Sequence, residues 1–226
     1  MFAGRFIDLS HRLLPDKEEY HIRLNNVNTA ERYSQYIVEE GFWYILQDIE
    51  MSSHCGTHIE FPYHHNKTGL DAASFGLDRL IAPCVLIDFK YKKANEAITL
   101  EEIQDYDELI HTGDSVMFNF GVTMNYRTEK SHVRPYLSLE AAKWLAEVKK
   151  INIIGSDASG LEIKGVPNQP IHQYLMERQI AIIEFAANLD ALTKSRFMLF
   201  VLALAVEGLD SCPVRLVAYE DEETDQ

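Results

Sequence analysis

Four stretches of the chain carry short, largely apolar runs: CVLIDFKYK at 84–92, DSVMFNFGV at 114–122, INIIG at 151–155 and IAIIE at 180–184. A strand with one face in water alternates apolar and polar residues, whereas a strand covered on both faces reads as a near-continuous apolar run. Their length and their β-branched and aromatic content predict strands. Helix signals lie between them. Thr99-Leu-Glu-Glu102 has the spacing of a capping box and opens TLEEIQDYDELI, which Gly113 closes. Ser138 starts SLEAAKWLAEVKK, whose apolar residues trace one helical face, and IHQYLMER reads as a further short helix. Interleaved strands and helices predict the α/β class. The first third is different: RFIDLSH and FWYILQDIEM at 42–51 read as strands with few helix signals around them. FAANLDAL reads as a turn or helix, and FMLFVLALAV and VRLVAYE as two closing strands around the turn GLDSCP. The expectation is therefore a mixed β-sheet or barrel-like core with flanking helices. No repeat or Gly/Ser/Pro linker interrupts the chain, so residues 1–226 are expected to form a single domain, with an acidic, solvated tail at about 220–226.

Charge and composition narrow the partners. A net charge of −14 opposes binding to nucleic acid or to an anionic membrane surface, because both would repel it. The most apolar stretch, residues 197–206, is about half the length needed to cross a bilayer. The N-terminus lacks the uninterrupted apolar run of a signal peptide, and the three cysteines, Cys55, Cys84 and Cys212, match neither a disulfide framework nor a C-x-x-C metal clip. These features point to the cytoplasm.

Residues 54–65 read HCGTHIEFPYHH, placing four of the nine histidines of the chain within twelve positions. His54 and His58 have helical spacing, but Gly56, Thr57 and Pro62 argue against a helix there. The stretch reads either as a polar surface loop or as half of a metal site, in which imidazoles and the carboxylate of Glu60 would bind Zn²⁺ or Mn²⁺. A second group bears on the choice. Glu184 directly follows the apolar run Ile180–Ile183, and His172 lies twelve positions before it. A carboxylate at such a place must be paired, protonated or bound to a cation, since burying a lone charge is costly. A metal centre shared by the two groups accounts for both.

The motif HCGTHIEFPYHH resembles the H-x-G-T-H-x-D-x-P-x-H signature of the metal-dependent cyclase family, which includes bacterial kynurenine formamidases and isatin hydrolases. FIDLSH resembles the opening strand of that family, IIGSDASGLE its G-x-D-x-x-S-x-D segment, His172 through IIEFAANLDAL its second ligand block, and GLDSCPVRLVA its closing strand. The resemblance implies a swivelling β/β/α fold. It also implies that His54, His58 and Glu60 hold a first divalent ion, Zn²⁺ before Mn²⁺. Glu60, His172 and Glu184 would hold a second where two ions bind, and His64 would be the catalytic histidine. Two positions depart from the pattern: Glu60 stands where Asp is usual, and Glu162 replaces an Asp, with a supporting role expected.

The activity implied is metal-assisted hydrolysis of a small amide, ester or lactone, foremost arylformamidase action on N-formylkynurenine, with an isatin hydrolase or another cyclic amide or lactone hydrolase as alternatives. A divalent ion lowers the pKa of bound water from about 15.7 to about 7 in favourable sites, and His64 would shuttle the proton. A non-catalytic metal-binding protein is the reading from another class. A serine hydrolase is disfavoured, since Ser156 and Ser159 lack the G-x-S-x-G spacing. Phe42, Trp43, Tyr44, Phe61 and Tyr63 are either aryl-stacking residues or ordinary core and strand aromatics. His65 is expected on the opposite side from His64, and no role is assigned to it, to Cys55, or to His11, His21, His111 and His132. The resemblance also implies a homodimer or larger homo-oligomer, with residues 42–44 as a contact.

Overall fold

Among the residues described by the computed structural model (3–28, 32, 33, 35 and 41–221), the strands in chain order are β1 (Gly4–Asp8), β2 (Ile22–Asn26), β3 (Gln47–Met51), β4 (His58–Glu60), β5 (Ile81–Asp88), β6 (Ala97–Ile98), β7 (Ser115–Asn119), β8 (Tyr136–Leu137), β9 (Ile153–Ser156), β10 (Ala181–Glu184), β11 (Arg196–Leu202), β12 (Ser211–Pro213) and β13 (Arg215–Asp221). Nine of them form one sheet in the order β1-β13-β11-β5-β7-β9-β10-β4-β12. The four apolar runs are its parallel centre, β5-β7-β9-β10. Antiparallel strands extend it on both sides, so the sheet is mixed. Beyond edge strand β1 the chain crosses the end of β10, where Leu9 O accepts from Ala187 N at 2.7 Å and Ser10 bridges Ala186. That crossing curls the sheet.

Period-2 alternation divides the central strands between two cores. Val85, Val116, Phe118, Ile154 and Ile182 face a cluster shared with the helices, while Cys84, Met117, Ile153, Ala181 and Ile183 face a second cluster inside the curl. Both faces are dry, which is why these strands do not alternate in polarity. The helices are short: α1 (Leu77–Leu80), α2 (Leu100–Gln104), α3 (Leu139–Trp144), continued by a π-helical turn over Leu145–Lys149, and α4 (Pro170–Glu177). The Thr99–Glu102 capping box is formed in both directions, and Ser138 accepts from Ala141 N. Each such cap stabilises its helix by about 1 kcal/mol.

Three expectations need correction. The strand expected over 42–51 begins only at Gln47; it pairs with β2 in a separate two-stranded ribbon, and Phe42–Tyr44 project into solvent. The helix expected over 99–110 ends at Gln104 and gives way to turns. GLDSCP is more than a turn, because Ser211–Pro213 form strand β12 against β4. Residues 222–226 of the expected acidic tail lie outside the described residues.

His11 sits in the segment that curls the sheet, stacked on Tyr126 with ring centroids 3.9 Å apart. Its Nε2 is buried without a partner. Burial, helped by the Arg127 charge, lowers its pKa to about 4. Between pH 6.5 and about 4 the unfolded chain therefore binds a proton at this residue that the folded chain does not, so stability falls as pH drops through that window. Urea titrations from pH 7 to pH 4 should show a less steep loss of midpoint for His11→Phe than for the wild type; equal slopes would contradict the assignment.

Candidate metal centre

The register between β4 and β10 determines which side chains meet. Glu60 pairs with Ile182 and His58 pairs with Glu184. Directly opposed residues of antiparallel strands project to the same face, and so do residues two apart on one strand. His58, Glu60 and Glu184 thus share the face of Ile182, which is the helix side, while Ile59 and Ile183 point into the curl. Helix α4 packs over this face and contributes His172 from its first turn. His54 comes from the loop before β4, and His64 from a 3₁₀ turn, Pro62–His64, just after it.

All the residues expected to act on a metal are brought together. His54 Nδ1 lies 3.0 Å from Glu60 Oε1, and His58 Nε2 lies 3.8 Å from the same oxygen and 3.7 Å from Glu184 Oε2. His172 Nε2 is 3.5 Å from Glu60 Oε2 and 3.6 Å from Glu184 Oε1. The donor atoms of His54, His58 and Glu60 lie within 4.8 Å of one another, as do those of Glu60, His172 and Glu184. His58, Glu60 and His172 are at most 5% exposed.

Each ring is oriented by a partner behind it. His58 Nδ1 is 2.8 Å from Gly56 O, which leaves Nε2 facing the carboxylates. Glu162 does two tasks at the N-terminus of α4, where Gln169 provides no side-chain cap: it accepts from Ile171 N at 2.6 Å and contacts His172 Nδ1 at 2.8 Å. The supporting role expected for Glu162 matches these contacts. Asp210 Oδ2 lies 2.9 Å from His64 Nδ1 and 3.2 Å from His54 Nε2. Carboxylates and carbonyls behind imidazoles set the tautomer and raise the basicity of the inward nitrogen.

The electrostatics indicate what the centre accepts. Burial opposes protonation of His54, but hydrogen bonds to Glu60 and Asp210 outweigh it and lift its pKa to about 8. Burial likewise opposes protonation of His172, yet Glu162, Glu184 and Glu60 lift it to about 10. For Glu60, burial favours the neutral acid, and the surrounding imidazoles still hold its carboxyl well below the usual range. Protons on imidazoles here balance clustered carboxylates, a task a divalent cation performs equally while displacing them. Two of the four buried side-chain polar atoms without a hydrogen bond among the described residues are His58 Nε2 and Glu60 Oε2. Unused donor atoms of the right chemistry, converging in a dry place, fit a divalent ion.

These groups line a cavity of about 320 Å³. Several expectations change on seeing it. Phe42, Trp43, Tyr44, Phe61 and Tyr63 are absent from its lining, Phe61 being core and packed on Phe75; Tyr20 and Phe185 supply the aromatic surface instead. His65 does not point oppositely to His64, since the 3₁₀ turn holds their rings 4.8 Å apart; it is half-buried, 5.6 Å from the His172 ring. His132 is part of the lining, with Nδ1 2.8 Å from Ser159 Oγ and Nε2 2.9 Å from Glu19 Oε1. The Ser159 hydroxyl also donates to Ser131 O and accepts from Arg134, so it is fully engaged and not free as a nucleophile. Burial pushes the Cys55 thiol up to about 11. Sequence reasoning missed Asp210, Tyr20, His132 and Arg134. Only Asp210 carried a signal, as a carboxylate within a matched motif.

Comparison with known proteins gives a consistent picture. Residues 7–163 match a family described as "Putative cyclase". A kynurenine formamidase from Erythrobacter litoralis is 26% identical over 183 residues, covering 81% of each chain. Cyclase-like protein 1 from Arabidopsis thaliana is 25% identical over 224 residues, covering 95% of this chain and 85% of its own. Among solved structures, an isatin hydrolase bound to the product analogue thioisatinate superposes with a TM-score of 0.82 at 19% identity, over 97% of this chain and 94% of the other. A potential metal-dependent hydrolase with cyclase activity gives 0.72 at 24%, over 97% and 100%. The two structural likenesses bear on the fold.

Glu162→Ala should lower affinity for Zn²⁺ or Mn²⁺ about 10- to 100-fold by freeing the His172 ring. Competition with a chromophoric chelator measures this, and undiminished affinity would remove Glu162 from the support of the centre.

Proposed function

This chain belongs to the cyclase family, and from that premise we propose that it is a divalent-metal-dependent hydrolase of a small amide, with an N-formylated arylamine such as N-formylkynurenine as its leading substrate. The observation that carries the reading is the pair of buried atoms without a hydrogen bond among the described residues, His58 Nε2 and Glu60 Oε2, converging with His172 and Glu184 beside His64. The kynurenine formamidase relatives support the choice of bond. The cavity lies at the lower end of the range of about 300–1,000 Å³ usual for small-molecule sites, a size for a one-ring substrate.

His54, His58 and Glu60 would hold one ion and Glu60, His172 and Glu184 a second, with Glu60 shared. When bound, such an ion supplies Lewis acidity and makes water acidic enough to ionise near neutral pH. The protein residues handle the protons. His64 donates through Nδ1 to Asp210, which leaves Nε2 as a lone-pair base facing the centre, 3.8 Å from Glu60 Oε1. There it takes the proton released as water adds to the formyl carbon, then delivers it to the departing arylamine nitrogen. One water is consumed, and formate and an amine leave. Tyr20 and Phe185 offer faces for the aryl ring.

The test is formate release from N-formylkynurenine, with isatin and aryl lactones in parallel, by protein loaded with Zn²⁺ or Mn²⁺. His64→Ala should lower kcat about 10²- to 10⁴-fold while elemental analysis finds the bound metal unchanged. No turnover of any of these compounds by metal-loaded wild type would instead favour a non-catalytic metal-binding protein.

The association expected of a homo-oligomer has a physical candidate in the segment that leads into β3. Phe42, Trp43, Tyr44, Ile45 and Ile49 are exposed together, Trp43 to 88%, a concentration of apolar surface that marks an interface. A second copy of the chain is the proposed occupant. Light scattering should report a dimer or larger for the wild type and a smaller species for Trp43→Glu; an unchanged mass would exclude this surface as the contact. Among the described residues no helix is long and apolar enough to cross a membrane.

A further inference from the structure

Arg134 lines the cavity but takes no part in holding an ion or in moving the proton. It is 8% exposed. Nε donates to Gly160 O at 2.9 Å, and Nη1 donates to His132 O at 3.1 Å and to Ser159 Oγ at 3.0 Å. Nη2 has no acceptor among the described residues, and neither Glu184 nor Glu162 forms an ion pair with it. The position of Nη2 is marked by Gly160, whose φ is +110°. A Cβ there would lie 3.2 Å from Nη2, 2.7 Å from Glu184 Oε1 and 3.6 Å from His172 Cε1. The free donors of the guanidinium and the carboxylate of the candidate centre therefore approach each other across a residue that has no room for a side chain.

The side chain is buried, but Nη2 is not one of the buried atoms without a hydrogen bond: it opens onto the cavity, where its unused N–H groups can serve an acceptor that enters. The orientation of the guanidinium is already held by three hydrogen bonds, so a ligand that used Nη2 would lose little entropy in ordering it. Among common acceptors a carboxylate gains most, through charge-assisted bonds. Lys164, exposed on the same lining and without a partner among the described residues, adds a second positive charge.

We propose that Arg134 is the carboxylate-binding residue of this pocket, and that the molecule bound is an aryl compound carrying its own carboxylate apart from the bond that is cleaved. The substrate half of this statement rests on the hydrolase reading above; the binding half does not. His132 and Ser159 are then positioning residues that hold the guanidinium.

Two measurements test it separately. The first needs no turnover: calorimetry of metal-loaded protein with anthranilate, aniline and formate. Wild type should bind anthranilate about 10- to 100-fold more tightly than aniline, Arg134→Gln should lose that preference, and Arg134→Lys should keep part of it, with metal content unchanged. Wild type binding anthranilate no more tightly than aniline would overturn the proposal even if Arg134→Gln fails to fold. So would equal binding of anthranilate by wild type and Arg134→Gln. Formate binding as tightly as anthranilate in wild type would assign the site to a released product, against the proposal. The second compares N-formylanthranilate with formanilide, which present the same bond with and without the carboxylate. Arg134→Gln should raise KM for the former about tenfold or more and leave kcat, and both constants for formanilide, nearly unchanged; a fall in kcat for both substrates would show a structural role instead. Failure of the hydrolase reading alone would leave both formanilides uncleaved while the anthranilate preference remained.

Discussion

The pairing of Glu60 with Ile182 and of His58 with Glu184 is the constraint on which the rest of this molecule depends. It brings two carboxylates and an imidazole to one buried face of a sheet whose neighbouring positions are occupied by isoleucine. A shift of the register by one residue would turn His58 and Glu60 into the curl beside Leu9 and Phe61 and bring Ile59 to the centre. Ile59 and Ile183, fully buried on the opposite face, prevent that shift, because the slip would move both hydrophobic and ionisable sets to the wrong side at once. The apolar core and the polar site are thus two sides of the same register.

Carboxylates kept close together in a dry place repel one another, and the surroundings show how that repulsion is managed. Gly56 O, Glu162 and Asp210 stand behind His58, His172 and His64. They turn the inward nitrogens toward Glu60 and Glu184, and the carboxylates around them raise the pKa values of His54 and His172. Glu162 also joins the site to the fold. It accepts from the first turn of α4 and orients His172 from the same carboxyl group, so the helix and the ring are positioned together. The Asp157 carboxylate, in the same loop, accepts from Phe120 N, Val122 N and Thr123 N and ties it to the end of β7. One short segment, Ser156–Glu162, therefore supports the centre and, through Ser159 and Gly160, the guanidinium of Arg134.

Much of this was legible in the residues. The apolar runs that became β5, β7, β9 and β10 were readable because strands covered on both faces have no solvent side to advertise. Glu184 stood out because a carboxylate at the end of IAIIE needed an explanation. The ribbon formed by β2 and β3 was misjudged because FWYILQDIEM has the composition of a core strand, and composition does not tell a buried aromatic from one left in solvent. The same ambiguity left residues 42–44, 61 and 63 open between aryl contacts and ordinary core or strand positions, and it is Tyr20 and Phe185 that occupy the cavity wall. His132 and Arg134 were invisible for a different reason: each lies in an ordinary polar stretch, and nothing local marks an arginine held by Ser159 and Gly160, 25 and 26 residues away.

The sequence by itself determined the strand centre, the helix caps at Thr99 and Ser138, and the residues able to bind a metal, because periodicity, capping and donor chemistry are properties of neighbours along the chain. Tertiary structure alone decided that His54, His58, Glu60, His172 and Glu184 converge, that Asp210 stands behind His64, and that Arg134 holds a nitrogen beside them without an acceptor among the described residues. Those relations depend on antiparallel register, on the packing of α4 over the sheet, and on the curl that brings distant segments together. Each is a sum of long-range contacts between strands and helices far apart in the chain, and no window of neighbouring residues contains it.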